Sequence, residues 1–158
     1  MSIVIETERL ILRDAVWEDW EAVHAYSSDP VVVRYSMWGP NNEEETKEFV
    51  EQMIEMSREI PRRSYELVVT LKETGELIGG CGLHKAGFNA EIGYAFNPRF
   101  WGKGYATESA FALIRMGFGE LDIHRISATC RPENADSSNV LKRLGMKREG
   151  RLREHMFF

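Results

Sequence analysis

The sequence predicts a single α+β domain spanning residues 1–158, with elements in the order β-α-α-β-β-β-α-β-α-β. Three observations predict it. Short runs alternate apolar and polar residues with the two-residue period of a half-buried strand, as Leu10 and Leu12 do against Arg9, Ile11 and Arg13. Other runs keep an apolar stripe at helical spacing, as Phe49, Val50, Met53, Ser57 and Ile60 do. One strand, Ala90 to Phe96, breaks at Asn97-Pro98 into a glycine-bearing loop that opens a helix near Tyr105.

The elements follow in order. A first strand covers residues 8–14, and a helix runs from about Trp17 to Ser28, where Asp29-Pro30 ends it. The segment from Val31 to Pro40 is irregular and holds Arg34, Tyr35 and Trp38. Asn42, with Glu45 three residues on, forms a capping box for a second helix that lasts until Pro61. Strands at Ser64–Leu71 and Glu76–His84 meet through the Glu73-Thr74-Gly75 turn. After the glycine loop, a helix from Tyr105 to Gly119 turns Ala106, Ala110, Leu113 and Gly117 to one face, small enough for close packing on a sheet. Residues 124–130 form a fifth strand, Asn134 caps a fourth helix that stops at Leu144-Gly145, and a strand from Met146 toward His155 closes the chain.

Composition narrows the function classes. With 43% hydrophobic and 28% charged residues the chain can build a water-facing domain with a real core. Twenty basic against 25 acidic residues, a formal charge of −5, argue against nucleic acid and suit a cationic acceptor such as an amine. No apolar run approaches the roughly 20 residues that span a bilayer, which argues against a membrane partner, and the charged start lacks a signal-peptide core. Cys81 and Cys130 fall in separate strands with no Cys/His cluster, so no metal site is expected. Two free thiols fit a reducing, cytoplasmic location.

The stretch from Glu91 to Gly104 carries the chemistry. A strand feeding a glycine loop at a helix start makes an anion site, because the first-turn N–H groups lack intrahelical partners and the helix dipole favours negative charge there. Gly102 and Gly104 let the backbone curl, and Arg99 and Lys103 add positive charge at the mouth. The letters exclude two phosphate motifs. Thr107 stands where the dinucleotide fingerprint needs its third glycine; Asn97 and Gly104 stand where the Walker loop needs glycine and Ser/Thr.

What remains, Arg99-x-x-Gly102-x-Gly104 followed by Tyr105-Ala106-Thr107-Glu108, closely resembles the acyl-CoA pyrophosphate loop of the GNAT superfamily of N-acetyltransferases. Glu-Ile-Gly-Tyr at 91–94, Trp-Gly-Lys-Gly-Tyr-Ala-Thr-Glu at 101–108 and the opening Glu-Thr-Glu-Arg-Leu-Ile-Leu-Arg at 6–13 resemble its RimJ/RimL-like branch, which acetylates ribosomal-protein N-termini. The resemblance covers nearly the whole chain. It implies a three-layer fold with a mostly antiparallel mixed sheet that splays after the strand at 90–96. By the same resemblance the usual last strand is missing, because the sequence ends at Phe158.

The resemblance also implies a site. Main-chain groups of Tyr94, Phe96 and Asn97 would pair with the pantetheine arm of acetyl-CoA, and the amides from Phe100 to Ala106, through Trp101, Gly102, Lys103, Gly104 and Tyr105, would hold the pyrophosphate. Arg99 would work on the phosphate side, with a surface ion pair as its alternative. Asn134 would bond the pantetheine arm. Leu141 stands where many relatives carry a tyrosine acid, which shifts that role to Ser137. A free alkylamine is mostly protonated at neutral pH, so a base is required. Glu91, on the face shared with Gly93 and Ala95, is the candidate, relaying the proton through water; a cross-strand ion pair with Lys85 or Arg99 is the alternative. His84 is a lesser candidate. The Phe96 N–H would steady the oxyanion. Arg34, Tyr35, Trp38 and Trp101 are candidates for the acceptor site.

The expected activity is direct acetyl transfer from acetyl-CoA to a primary amine, with a protein N-terminus favoured by branch resemblance alone. Two rival readings are a small-molecule amine acetyltransferase acting on polyamines, amino acids or drugs, and an acyl-CoA-binding module without turnover. A homodimer is compatible with all three.

Overall fold

The structure is a computed structural model; it describes residues 2–34, 36, 38–128 and 135–146, and of residues 135–138 the backbone alone. Six strands form one sheet in simple sequence order, β1 (Val4–Glu6), β2 (Leu10–Asp14), β3 (Ser64–Leu71), β4 (Leu77–Ala86), β5 (Asn89–Phe96) and β6 (Arg125–Ser127). The first four pairings are antiparallel and the last, β5 with β6, is parallel. Among the described residues four α-helices accompany them: α1 (Trp20–Ser27), α2 (Glu43–Ser57), α3 (Tyr105–Glu120) and α4 (Ala135–Arg143).

Strand alternation divides the core between the two faces. Leu10, Leu12, Leu67, Val69, Leu83, Ile92 and Phe96 turn to one face and bury against Ala110, Leu113 and Met116 of α3. Val68 turns to the other, where Val23 and Tyr26 of α1 and Val50 and Met53 of α2 cover it. Gly117 admits α3 close to the sheet: a Cβ there would lie 3.0 Å from Leu83 and 3.1 Å from Ile126. Two ion pairs brace this frame. Arg13 grips Asp19 through two hydrogen bonds of 2.8 and 2.9 Å, and Arg62 grips Asp14 at 3.1 and 2.6 Å.

Several boundaries differ from the sequence expectation, each for a local reason. The chain begins with a hairpin rather than a lone strand, because Val4–Glu6 is too short for its alternation to register. The first helix opens as a single 3-10 turn, Trp17–Asp19. The capping box holds as expected, Asn42 Oδ1 accepting from Glu45 N at 2.8 Å and Glu45 Oε1 from Asn42 N at 3.0 Å. The helix it starts ends at Ser57, however, leaving Ile60, expected on its apolar stripe, 96% exposed. The strand expected through residue 130 is described only at Arg125–Ser127. Cys130, the Asn134 cap and the closing strand beyond Met146 lie outside the described residues. No helix among the described residues is long and apolar enough to cross a membrane.

The pairing of β5 with β6 covers only Asn89–Glu91 against Arg125–Ser127. Beyond Glu91, β5 keeps β4 on one side, through to Gly79↔Phe96; on the other, residues 129 and 130, expected to continue β6, lie outside the described residues, and with them the expected splay.

Leu113 is fully buried where α3 meets the sheet, so Leu113→Ala should cost about 2–5 kcal/mol of stability. Urea unfolding should show a lower midpoint with an unchanged slope.

Candidate active site at the end of strand β5

The anion loop is built from local backbone chemistry. Asn97 N–H still bonds Ile78 O (2.9 Å), and Asn97 Oδ1 then accepts from Arg99 N (3.0 Å), starting a 3-10 turn over Pro98–Phe100. The sequence showed the break at Asn97-Pro98 but not that a turn of 3-10 helix fills it. Gly102 (φ 77°) and Gly104 (φ 81°) both adopt the left-handed conformation, and Gly104 is the N-cap residue of α3. A Cβ at Gly102 would meet open space, and one at Gly104 would meet only an Arg9 nitrogen at 3.4 Å. The first turn of α3, with Tyr105 and Ala106, therefore faces an uncrowded hollow, the arrangement in which helix N-terminal N–H groups receive an anion.

The cationic side chains stand around the hollow's rim. Arg99 is 73% exposed; its Nη1 lies 3.7 Å from Glu76 Oε2, long enough for the pair to be weak. Arg99 and Lys103 both approach the Phe100 ring, at 5.3 and 6.0 Å from its centroid. Trp101 donates its indole N–H to Phe96 O at 2.8 Å, closing the loop back onto the strand end. This ties up one lone pair of the carbonyl at the place where the pantetheine arm was expected.

A clamp from the start of the chain holds the loop, and sequence reasoning missed it. Glu108, in the first turn of α3, accepts from Thr7 Oγ1 (2.6 Å), Arg9 N (2.9 Å) and Arg9 Nε (2.6 Å). Arg9 Nη1 also donates to Lys103 O (2.9 Å), and its guanidinium lies 4.5 Å from the centre of the Tyr105 ring. Burial would raise the Glu108 carboxyl, but the bonds from Thr7 and Arg9 outweigh it and hold the group below the ordinary carboxylate range. The signal was present in the opening Thr-Glu-Arg of residues 7–9, read only as part of a resemblance.

On the sheet face away from α3, β4 and β5 bring three cross-strand rows together. Ser64, His84 and Glu91 form one; Glu66, Gly82 and Gly93 the next; Val68, Gly80 and Ala95 the third. The middle row is a trough. Gly93 is exposed and a Cβ there would touch nothing within 4 Å, while a Cβ at Gly82 would fall on Glu66 Oε2. The Glu66 carboxylate thus lies across β4, pointed along the row toward β5.

Glu66 was not singled out in the sequence. Its Oε2 is buried without a hydrogen-bond partner, although the side chain as a whole retains 22% of its surface. His84 Nε2 stands 3.7 Å from it, and His84 Nδ1 lies 3.1 Å from Ser64 Oγ. Burial raises the Glu66 carboxyl to about 7. It also lowers His84, against the opposing pull of Glu91. Glu91 itself is exposed at the rim, directly across from His84. Neither ion pair imagined for Glu91 forms in that way: Lys85 Nζ donates to Leu121 O (2.8 Å), and Arg99 turns to Glu76.

The remaining candidates are less fully placed. Ser137 lies within α4, but its side chain, like Asn134 and Tyr35, is outside the described residues. Leu141 is half-buried in the same helix. Trp38 and Trp101 are 43% and 44% exposed. Among the described residues no group of His, Cys, Asp and Glu is arranged to hold a metal.

Comparison with known proteins places this geometry. The family model for the acetyltransferase (GNAT) domain matches residues 9–147. The uncharacterised N-acetyltransferase YnaD of Bacillus subtilis is 40% identical over 148 residues, covering 92% of this chain and 84% of that one. The crystal structure of a GNAT-family acetyltransferase from Bacillus anthracis superposes with a TM-score of 0.84 at 41% identity, covering 94% of this chain and 86% of that one. RimL, a ribosomal L7/L12 alpha-N-protein acetyltransferase solved with coenzyme A, gives a TM-score of 0.86 at 23% identity, with 98% and 90% covered, a likeness of fold.

Two outcomes follow. Arg9→Ala should free the Lys103 carbonyl and weaken coenzyme A binding about tenfold, or about 1.4 kcal/mol, in a calorimetric titration. Glu66 holds its proton more tightly when folded (about 7) than at the ordinary 4.5, so the folded state binds more protons between those values and stability falls as pH rises through that window. Glu66→Gln removes this loss. The variant should match wild type near pH 4 and be the more stable protein at pH 8, by melting temperature.

Proposed function

Because this chain belongs to the GNAT acetyltransferase family and is an N-acetyltransferase that uses acetyl-CoA, we propose that its acceptor is a protein N-terminus. The observation that carries the reading is the open trough beside the splay: Gly93 is exposed and uncrowded on the side away from α3, so an extended peptide can reach the end of β5 from solvent. The RimJ/RimL-like wording of residues 91–108 and the fold shared with RimL, which acts on a ribosomal protein, support the same acceptor.

In this reading the glycine loop and α3 amides hold the pyrophosphate, and the side of β5 away from β4, from Tyr94 to Asn97, lines the pantetheine arm. Trp101, tied to Phe96 O, and Arg99 with Lys103 border the same channel. Asn134 and Ser137 approach from the α4 side, with Ser137 supplying the proton that the departing thiolate takes, since Leu141 has no proton to give. Glu91 and His84 carry the amine's proton toward water from the rim of the trough. The Phe96 N–H receives the charge gathered by the thioester oxygen. Most of the acceleration comes from holding amine and thioester side by side.

The test is release of free coenzyme A thiol with a panel of short peptides bearing free N-termini, set against polyamines and amino acids. Peptides should be acetylated on the α-amine with kcat/KM at least tenfold above any small amine. A preference for a polyamine or amino acid would replace the protein acceptor by a small-molecule one. Ser137→Ala should lower kcat with little change in the binding of acetyl-CoA.

A further inference from the structure

The trough contains a carboxylate that the relay just described does not use. Resting on that acetyltransferase reading, we propose that Glu66 is the residue that binds the acceptor's ammonium group and takes its proton, with Gly82 and Gly93 kept free of side chains so that the amine can lie between Glu66 and the end of β5. The argument is geometric. Glu66, Gly82 and Gly93 lie in register across three adjacent strands. The Glu66 carboxylate occupies the place of a side chain at Gly82, so its oxygens stand over β4, about 5 Å, one strand spacing, from the row position of Gly93. The row before it ends in Glu91, and the row after it is shut by Ala95 and by Tyr26, whose hydroxyl would lie 3.2 Å from a Cβ at Gly80. An ammonium entering over Gly93 meets Glu66 at the closed end of the trough. Glu66 Oε2 is buried with no hydrogen-bond donor satisfying it. A buried acceptor atom without a donor is costly, and an amine N–H supplies what is missing.

The surroundings fit a group that cycles its proton. His84 faces Glu66 from β4 at 3.7 Å, and Glu91 faces His84 from β5. Tyr26 faces it from α1, its own hydroxyl pushed up by burial and by the nearby Glu66 and Asp19 carboxylates. Cys81, on the opposite face of the sheet, is raised by burial and by Glu66, and Arg13 is engaged by Asp19. The step balances as follows. The ammonium gives one proton to Glu66, which passes it by way of His84 to water. The freed nitrogen lone pair forms the C–N bond to the thioester carbon as the C–S bond breaks. The nitrogen's second proton ends on the departing thiolate, so that amide, free thiol and one proton leave the site.

The test uses Glu66→Gln and Gly93→Val, each as the full chain, with the best acceptor found for wild type. Glu66→Gln should lower kcat/KM for the amine at least a hundredfold and erase the acidic limb of its pH profile, while acetyl-CoA binding by calorimetry is unchanged. Gly93→Val, whose Cβ would meet no atom within 4 Å, should raise the amine KM tenfold or more with acetyl-CoA binding retained. A carboxyl-carbon NMR titration of the free protein should show Glu66 titrating near neutrality. Retention of wild-type kcat/KM and pH profile by Glu66→Gln overturns the assignment to Glu66 and leaves the acetyltransferase reading standing. Binding of acetyl-CoA by wild type with no amine acetylated overturns both.

Discussion

The parallel pairing of β5 with β6, described at Asn89–Glu91 against Arg125–Ser127, governs this molecule. Where the two strands run together, backbone donors and acceptors satisfy each other, and β5 keeps its pairing with β4 through to Phe96. A strand held firmly along one side can present its other edge to a second extended chain while the rest of the sheet keeps its rigidity. The glycine loop and the trough both lie at the same end of the same strand. One side of β5 leads to the helix terminus at Gly104 and the other face leads to the Glu66 carboxylate, so in the proposed reading a thioester and an amine approach one point from opposite sides.

The two faces are specialised by the simplest rule in sheet structure, the alternation of side chains. The even-numbered residues Ala90, Ile92 and Phe96 of β5 are buried in the core that includes α3 and fix the strand's height, whereas Glu91 and Gly93 on the other face are exposed. Burying one face firmly is what permits the other to be left bare. Gly93, exposed on that face, contributes little to packing, and its cost is borne by the Leu113 and Leu83 side of the sheet.

Legibility followed the range of the interaction. The loop was readable because proline, glycine and helix-start chemistry act within a few residues: Asn97-Pro98, Gly102 and Gly104 declare their conformations on their own. Helix α2 was readable at its start, where Asn42 and Glu45 satisfy each other, and misread at its end, where Ile60 looked apolar but the chain had already left the helix. Glu66 was illegible because Tyr65, Leu67 and Val69 alternate as a strand should and make Glu66 look like a solvent-facing partner. Its burial depends on a glycine in the neighbouring strand, a fact of register rather than of composition. The strand Val4–Glu6 failed for the opposite reason, being too short to hold a pattern.

The clamp on the anion loop has a bearing on how this protein comes into being. Thr7 and Glu108 are 101 residues apart, and Arg9 reaches Lys103 across 94. Contacts of that separation are the slow ones to close, and a chain emerging from its N-terminus must keep its opening hairpin waiting until α3 has been made. Only then is the phosphate hollow complete. In the proposed reading the outermost strand pair and the co-substrate are therefore thermodynamic partners: a ligand that needs the closed loop favours docking of the β1–β2 hairpin, and undocking of that hairpin releases the ligand. In a cell where acetyl-CoA rises and falls with metabolism, the integrity of the sheet's edge would rise and fall with it.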